Sequence, residues 1–427
     1  MHIFFCGIGG TGIGPLAMIA KEAGYDVSGT DKQDSQYIQY LRKHGIESYI
    51  GQSYEAIENL HKTKPIDWVV YSSAVAIEDP NFPEKKFCED NQIKCTKRDD
   101  FLNHLLQEKN QKLIAIAGTH GKTTTTAMTI WLLKYIDITV SYTLGAKTSF
   151  GNMGHFNPDS EYFIYEADEF DRNFLSFNPY MSIISGVDYD HPDIYPTRED
   201  YEQAFRNFIG QSRWTVLWGS DFDRLKLEDQ GHFNILSDSD TNLQKINLLG
   251  EVNRRDAWLV IQAVNEISGI PIEDLIAHMS HFPGISRRFE EIAPNLYSDY
   301  AHTPEKIRGA IQIAKEKAAN NVVVVYEGLH NTRQHFIKKD LEHLFDDIKK
   351  LYIVPSYLAR EDKSLELLTP DKLIALTSQP EKGAPSTLDE ILKKNIDDHC
   401  NNGDLVLCLT AGGGGSLDEW LRKEYKK

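Results

Sequence analysis

The residues from Gly118 to Thr123 read Gly-Thr-His-Gly-Lys-Thr and follow the apolar run Leu113–Ala117. Gly-Lys-Thr between a buried strand and a helix is the end of a loop that holds phosphate. Main-chain N–H groups in such a loop cradle a β-phosphate, Lys122 spans β- and γ-phosphates, and Thr123 offers its hydroxyl to Mg²⁺. The spacing departs from G-x-x-x-x-G-K-[ST], because Ile116 stands where the first glycine belongs. A second loop, Gly7-Ile8-Gly9-Gly10-Thr11-Gly12, fits G-x-G-x-x-G after the strand-like His2–Cys6. Its glycines let N–H groups approach a diphosphate at a helix N-terminus. Asp31, nineteen residues after Gly12, is spaced to bind a ribose hydroxyl. The motif leaves open whether the ligand is a dinucleotide or another nucleotide diphosphate.

Two acidic clusters follow the next apolar runs. Glu166-Ala167-Asp168-Glu169 comes after Tyr162–Tyr165, and Asp188-Tyr189-Asp190-His191 comes after Met181–Val187. In a parallel sheet, residues just past the strand ends gather at one edge. Beside a phosphate loop, such carboxylates and an imidazole suit Mg²⁺ ions that bridge ATP and a second substrate. Further on, Arg287-Arg288 follows Pro283-Gly284, and Asp299-Tyr300-Ala301-His302 follows a short strand. His330 and Arg333 follow the β-branched run Val322–Tyr326, where an arginine can grip a carboxylate. Gly412–Gly415 is a further glycine run, read as a turn or an anion loop.

What must position these residues is an alternation of short apolar run, turn and amphipathic stretch, repeated in three blocks. That pattern predicts an α/β chain of parallel sheets flanked by helices. Strands are expected at His2–Cys6, Asp26–Thr30, Trp68–Tyr71, Leu113–Ala117, Tyr162–Tyr165, Met181–Val187, Asn295–Asp299, Val322–Tyr326, Leu351–Val354 and Leu405–Thr410. Val322–Tyr326 is too apolar for anything but a central strand. Long helices are expected at Arg254–Ser268, after Pro304 and at the end of the chain, and Pro283-Gly284 marks a boundary. A chain of 427 residues suits two or three domains.

Composition narrows the function. Lys and Arg number 46 against 63 Asp and Glu, a net charge of −17. Such a chain repels nucleic-acid phosphates, so no nucleic-acid partner is expected, though N–H groups can still bind anions locally. The five cysteines lack the two-residue gap of a zinc or redox motif, and read as free thiols in a reducing cytosol. The apolar N-terminus has no basic start, so no signal peptide is expected. No run reaches the roughly 18 apolar residues of a membrane helix.

The motifs in this order resemble the Mur ligases. The match runs through the first glycine loop with Asp31, Ser72-Ser73-Ala74, Ala-Gly-Thr-His-Gly-Lys-Thr-Thr-Thr-Thr from Ala117, Glu-Ala-Asp-Glu, Asp190-His191, Arg-Arg-Phe at 287–289 and Asp-Tyr-Ala-His at 299–302. The resemblance implies three domains: a Rossmann-like UDP-binding domain (1–110), a central P-loop ATPase-like domain (111–284) and a C-terminal Rossmann-like domain that binds the amino acid (285–427). The first loop would then serve UDP through Gly7, Gly9, Gly10, Thr11, Gly12, Asp31, Ser72 and Ser73. ATP would meet Gly118, Thr119, His120, Gly121, Lys122, Thr123, Thr124, Asn253, Arg288, Asp299 and His302. Lys122, Glu166 and His191 would be catalytic. Thr123 and Glu166 would hold a first Mg²⁺, His191 a second. His330 and Arg333 would bind the amino acid.

The implied reaction is ATP-dependent formation of an acyl phosphate on UDP-N-acetylmuramate, then attack by L-alanine. It is a cytoplasmic step of peptidoglycan precursor synthesis that involves no membrane. The sequence says nothing of oligomeric state. A branch that attaches a recovered tripeptide to the same sugar nucleotide is the second reading, favoured by Asp-Tyr-Asp-His-Pro-Asp-Ile-Tyr at 188–195. A non-catalytic nucleotide-binding relative is a third, and a nicotinamide-dependent dehydrogenase a fourth that leaves Lys122 unexplained. The departures are specific. Gln203-Ala204-Phe205-Arg206 lacks the lysine that many relatives carbamylate, as the alanine-adding branch does. Val252 and Thr303 each replace a usual histidine. The segment between Gly219 and Gly250 is short. The family's His-Arg-Phe-Thr-Arg is here His330-Asn331-Thr332-Arg333.

Overall fold

The computed structural model describes residues 1–191, 194–358, 361–362, 364–410 and 415–425. They form three sheets. The first joins β1 (His2–Cys6), β2 (Asp26–Asp31), β3 (Glu47–Ile50), β4 (Trp68–Tyr71) and β5 (Lys94–Lys97) in the order β3-β2-β1-β4-β5, all parallel. The second joins β6 (Lys112–Ala117), β7 (Val140–Thr143), β8 (Gly154–His155), β9 (Tyr162–Glu166), β10 (Met181–Ile184), β11 (Thr215–Trp218) and β12 (Phe233–Leu236). Its order is β12-β11-β10-β6-β9-β7-β8, parallel except for the β7/β8 pair. The third joins β13 (Glu290–Ala293), β14 (Leu296–Asp299), β15 (Val322–Leu329), β16 (Lys350–Tyr357), β17 (Gly383–Pro385) and β18 (Leu405–Leu409). Its order is β13-β14-β18-β15-β16-β17, with only β13/β14 antiparallel.

Each expected strand forms, His2–Cys6 and Trp68–Tyr71 with the expected ends and the others with ends moved by at most three residues. Met181–Val187 ends as strand at Ile184, because Ser185–Val187 turn to pack on the loop after β6. The strands that sequence reading missed are short and lie at or near sheet edges: β3, β5, β7, β8, β11, β12, β13 and β17. None is longer than four residues, too short for a clear alternation to show in the sequence. The glycine run 412–414 lies outside the described residues, and Gly415 has positive φ just before the last helix.

The two-residue period of a strand decides the cores. In β15, Val322, Val324 and Tyr326 enter one apolar cluster, and Val323 and Val325 enter another across the sheet. In β1, Ile3 and Phe5 face one cluster, and Phe4 and Cys6 the other. A strand buried on both faces reads as a continuous apolar run.

The chain forms two compact units. One comprises Met1–Ile246 and Asp256–Phe282, hence the first two sheets; the other comprises Asn247–Arg255 and Pro283–Lys427. Within the first unit, the two sheets are joined by polar ties. Glu22 accepts from the Phe156 N–H at 2.6 Å, Lys97 pairs with Asp171 at 2.7 Å, and Asn103 donates to the Ser176 carbonyl at 2.8 Å. A Cβ on Gly154 would lie 2.4 Å from the Pro15 carbonyl oxygen, so only glycine permits that approach. No helix of the described residues is long and apolar enough to cross a membrane.

The helix Arg98–Glu108 is anchored by Phe101, fully buried and edge-on to Phe5, Tyr25 and Trp68. Phe101→Ala is expected to cost the first unit about 3–5 kcal/mol, seen as a lower urea midpoint for its unfolding.

Candidate functional site

The loop after β6 shows why its residues had to be glycine. Gly118 has φ +149°, and a Cβ there would lie 2.3 Å from the Ser185 hydroxyl. Gly121 has φ +79°, and its Cβ would lie 2.9 Å from the Asp256 carboxylate. The helix Lys122–Tyr135 starts immediately after, which turns its first N–H groups towards the loop. Thr124 follows in its first turn.

The Lys122 side chain folds back over the turn. Its ammonium donates to the Gly118 carbonyl and to Glu169 Oε2, both at 2.6 Å. Glu169 is 1% exposed. Burial opposes charge on Lys122, but the Glu169 and Asp168 carboxylates prevail and hold its ammonium above the usual lysine range. Burial pushes the Glu169 carboxyl up, with Lys122 pulling the other way. The Tyr195 hydroxyl donates to the Glu169 carbonyl at 2.6 Å and fixes the segment.

Thr123 and Glu166 meet beside this pair. The Thr123 hydroxyl donates to Glu166 Oε1 at 2.8 Å, and Glu166 Oε2 is buried with no hydrogen-bond partner. His191, at φ +56°, puts Nε2 at 3.8 Å from Glu169 Oε1 and 3.9 Å from Asp190. Lys122, Thr123, Glu166, Glu169 and His191 thus converge at the carboxyl edge of β6 and β9. Among the described residues, no three carboxylate, imidazole or thiol groups form a ready cation cage. Thr119 points elsewhere: its hydroxyl bonds Asp188 main chain and the Tyr201 hydroxyl, which fastens the two loops together. The His120 carbonyl accepts from the Ser185 hydroxyl. Pro192 and Asp193 lie outside the described residues.

The first sheet gathers the other set. The Gly7 and Ile8 N–H groups donate to the Thr30 carbonyl, and the Gly9 N–H donates to Asp31 Oδ2 at 2.9 Å. Asp31 therefore braces the loop. Gly10, Thr11 and Gly12 are exposed ahead of the helix Gly14–Glu22. Ser72 caps the helix Ser73–Glu78, and Ser73 lies 3.5 Å from the Asn173 amide.

In the second unit, Arg288, Asp299, His302 and Arg333 are neighbours. Arg287 and Arg288 both lie over the Tyr300 ring, at 4.4 and 5.1 Å, and Asp299 accepts from the Phe289 N–H at 2.7 Å. Burial raises the Asp299 carboxyl. Burial, with Lys306, Arg333 and Arg288 nearby, drops His302 to about 3, so it is neutral. His330 has φ +48° and lies 3.6 Å from Glu361. Asn253 stands in the first turn of the helix Glu251–Ser268, its amide donating to the Leu249 carbonyl at 2.8 Å. Val252 is exposed; Thr303 is buried ahead of the helix Pro304–Ala318 with its hydroxyl unpartnered.

Glu169 is the functional group that sequence reading left without a role. The motif held it, but nothing in the spacing showed that its carboxylate turns inward onto Lys122.

Family models place this chemistry. Residues 2–110 match the Mur ligase family, catalytic domain, and residues 116–244 match the Mur ligase middle domain. A UDP-N-acetylmuramate–L-alanine ligase of Lactobacillus acidophilus is 30% identical, with 96% of each chain covered. Among solved structures, the UDP-N-acetylmuramate-alanine ligase MurC of Thermotoga maritima aligns with a TM-score of 0.75 at 22% identity, covering 99% of this chain and 98% of that one. A murein peptide ligase of Psychrobacter arcticus aligns at 0.63 and 21% identity, covering 100% and 98%.

Lys122→Met leaves the Glu169 carboxylate buried and unpaired, which costs about 3 kcal/mol at pH 8. Burial raises the folded-state pKa of Glu169, so the ionised form opposes folding and the deficit shrinks as pH falls. Urea midpoints of variant and parent should differ more at pH 8 than at pH 5.

Proposed function

The chain belongs to the Mur ligase family, and on that premise we propose that it joins L-alanine to UDP-N-acetylmuramate at the expense of ATP. The observation that carries the reading is the convergence of Lys122, Thr123, Glu166 and His191 behind a glycine turn. In this reading residues 1–110 bind the UDP moiety, 111–284 bind ATP and 285–427 bind the amino acid. Each segment contains one of the three sheets, which supports the division.

The lactyl carboxylate attacks the γ-phosphorus of ATP. A P–O bond forms, the bond to the bridging oxygen of ADP breaks, and an acyl phosphate results. The amine then attacks the acyl carbon, loses a proton and expels phosphate. Every reacting group except the amine is anionic, so the chain's main task is alignment and charge neutralisation. Lys122 is freed from Glu169 to meet the β- and γ-phosphates, and the N–H groups at 118–124 receive them. Asn253, Arg288, Asp299 and the neutral His302 are the further residues that this reading assigns to ATP. Arg333, with His330, grips the amino acid's carboxylate.

The residues at the loop fit Mg²⁺. Glu166 has a buried oxygen without a partner, beside the Thr123 hydroxyl. Mg²⁺ is usually held by one or two carboxylates together with substrate phosphates. Thr123 and Glu166 would hold one ion and His191 a second; bound there, the ions neutralise phosphate charge. The reaction is cytoplasmic, where its nucleotide substrates are made.

Tripeptide attachment is the second reading, supported by the fold likeness to a murein peptide ligase. The Gln203–Arg206 pair, bonded to each other at 3.1 Å where other branches carry a lysine, favours alanine.

Phosphate release from ATP and Mg²⁺ should require both UDP-N-acetylmuramate and L-alanine. Release with L-alanyl-D-glutamyl-diamino acid but not L-alanine would replace this reading with the second. Lys122→Ala should lower kcat by about 10²–10³-fold, the usual loss on removing one group that stabilises transition-state charge.

A further inference from the structure

One buried cation at the first sheet has no assigned task. Arg98 opens the helix Arg98–Glu108 directly after β5. The ends of β1, β2, β4 and β5 lie at one edge of this parallel sheet, so Arg98 shares it with the glycine loop, Asp31 and Ser72. Ligands of open α/β sheets bind at that edge. The guanidinium lies on the last glycine of the loop: a Cβ at Gly12 would be 1.9 Å from Nη1.

The Arg98 side chain is only 17% exposed, and its Nε is buried with no hydrogen-bond partner among the described residues. The nearest paired carboxylate, Asp99, is 3.6 Å from Nε, too far for a hydrogen bond. Burial pushes the Asp99 carboxyl up to about 6, with the Arg98 charge opposing, so Asp99 is a weak counter-ion. Tyr165, Asp168 and Glu166, at the end of β9, also feel this charge. Alongside it, the Thr11 and Gly12 N–H groups find no acceptor among the described residues. A buried guanidinium left unbonded is costly unless something anionic completes it.

We propose that Arg98 binds the diphosphate of the sugar nucleotide, adding a fixed, two-pronged positive charge to the N–H groups at Thr11 and Gly12. This deepens the function proposed above and rests on it. The planar fork of arginine matches phosphate oxygens, and lysine is a poor substitute at such a site. A carboxylate on the same substrate shares the anionic chemistry, and the test separates the two.

The experiment is calorimetric titration of the full chain with UDP and, separately, with UDP-N-acetylmuramate. Arg98→Gln and Arg98→Lys are compared with the parent, and ATP binding serves as the control. Expected is at least a tenfold loss of UDP affinity in Arg98→Gln, the same factor for UDP-N-acetylmuramate, a smaller loss in Arg98→Lys, and ATP binding within twofold. Should Arg98→Gln fail to fold, Arg98→Lys carries the test, with at least a threefold loss for UDP required. UDP binding within twofold of the parent in the folded variants overturns the proposal. So does a loss for UDP-N-acetylmuramate with UDP unchanged, which puts Arg98 on the lactyl carboxylate. A parent chain that binds neither UDP nor its sugar derivative overturns the proposed function itself.

Discussion

The buried pair of Lys122 and Glu169 is the constraint around which the first unit is built. Removing two charges from water costs several kcal/mol each, and their mutual attraction repays this only with close geometry and further hydrogen bonds. The structure supplies both. The ammonium is shared between the Gly118 carbonyl and the carboxylate, and Tyr195 pins the backbone that carries Glu169. The loop can pass beneath the lysine only because Gly118 and Gly121 hold positive φ against Ser185 and Asp256. Thr119 then ties that loop to the one after β10. The carboxylate occupies the position that the proposed function gives to a phosphate, so in that reading nucleotide binding would exchange one anion for another across Lys122.

Residue types that admit few explanations were legible in the sequence. Val322–Tyr326 had to be a central strand, because an unbroken β-branched run must be covered on both faces, and β15 is so covered. Gly-Lys-Thr after an apolar run predicted a strand, a glycine turn and a helix despite Ile116, and all three are present. What stayed hidden depends on direction. Glu166 and Glu169 are the same residue type in one motif, yet one meets Thr123 and the other Lys122. Thr119 lies inside the motif but turns away from it. Asp31, read as a ribose ligand, braces Gly9. Arg98 carries no motif at all, and only three-dimensional proximity to Gly12 brings it forward.

Val252 and Thr303, each in place of a usual family histidine, both stand in the second unit. Val252 is exposed beside the helix Pro304–Ala318, whereas Thr303 occupies the position just ahead of it. Neither belongs to the cluster around Lys122, Thr123, Glu166 and Glu169. Arg254 and Glu316, paired at 3.0 Å, hold the start of the helix that carries Asn253 against the helix Pro304–Ala318.

The strand order of the third sheet has a consequence for biosynthesis. The last strand in the chain, β18, lies between β14 and β15. Every residue of the sheet's middle ladder must therefore wait for Leu405–Leu409 to leave the ribosome. Until then β14 and β15 have unpaired edges facing the place of β18, and that of β15 is strongly apolar, the kind of surface that pairs with other chains. A product truncated a few dozen residues short would lack its central strand rather than a peripheral one. The strands of the first two sheets, and the segment Asp256–Phe282 that shares their unit, all precede the third sheet in the chain.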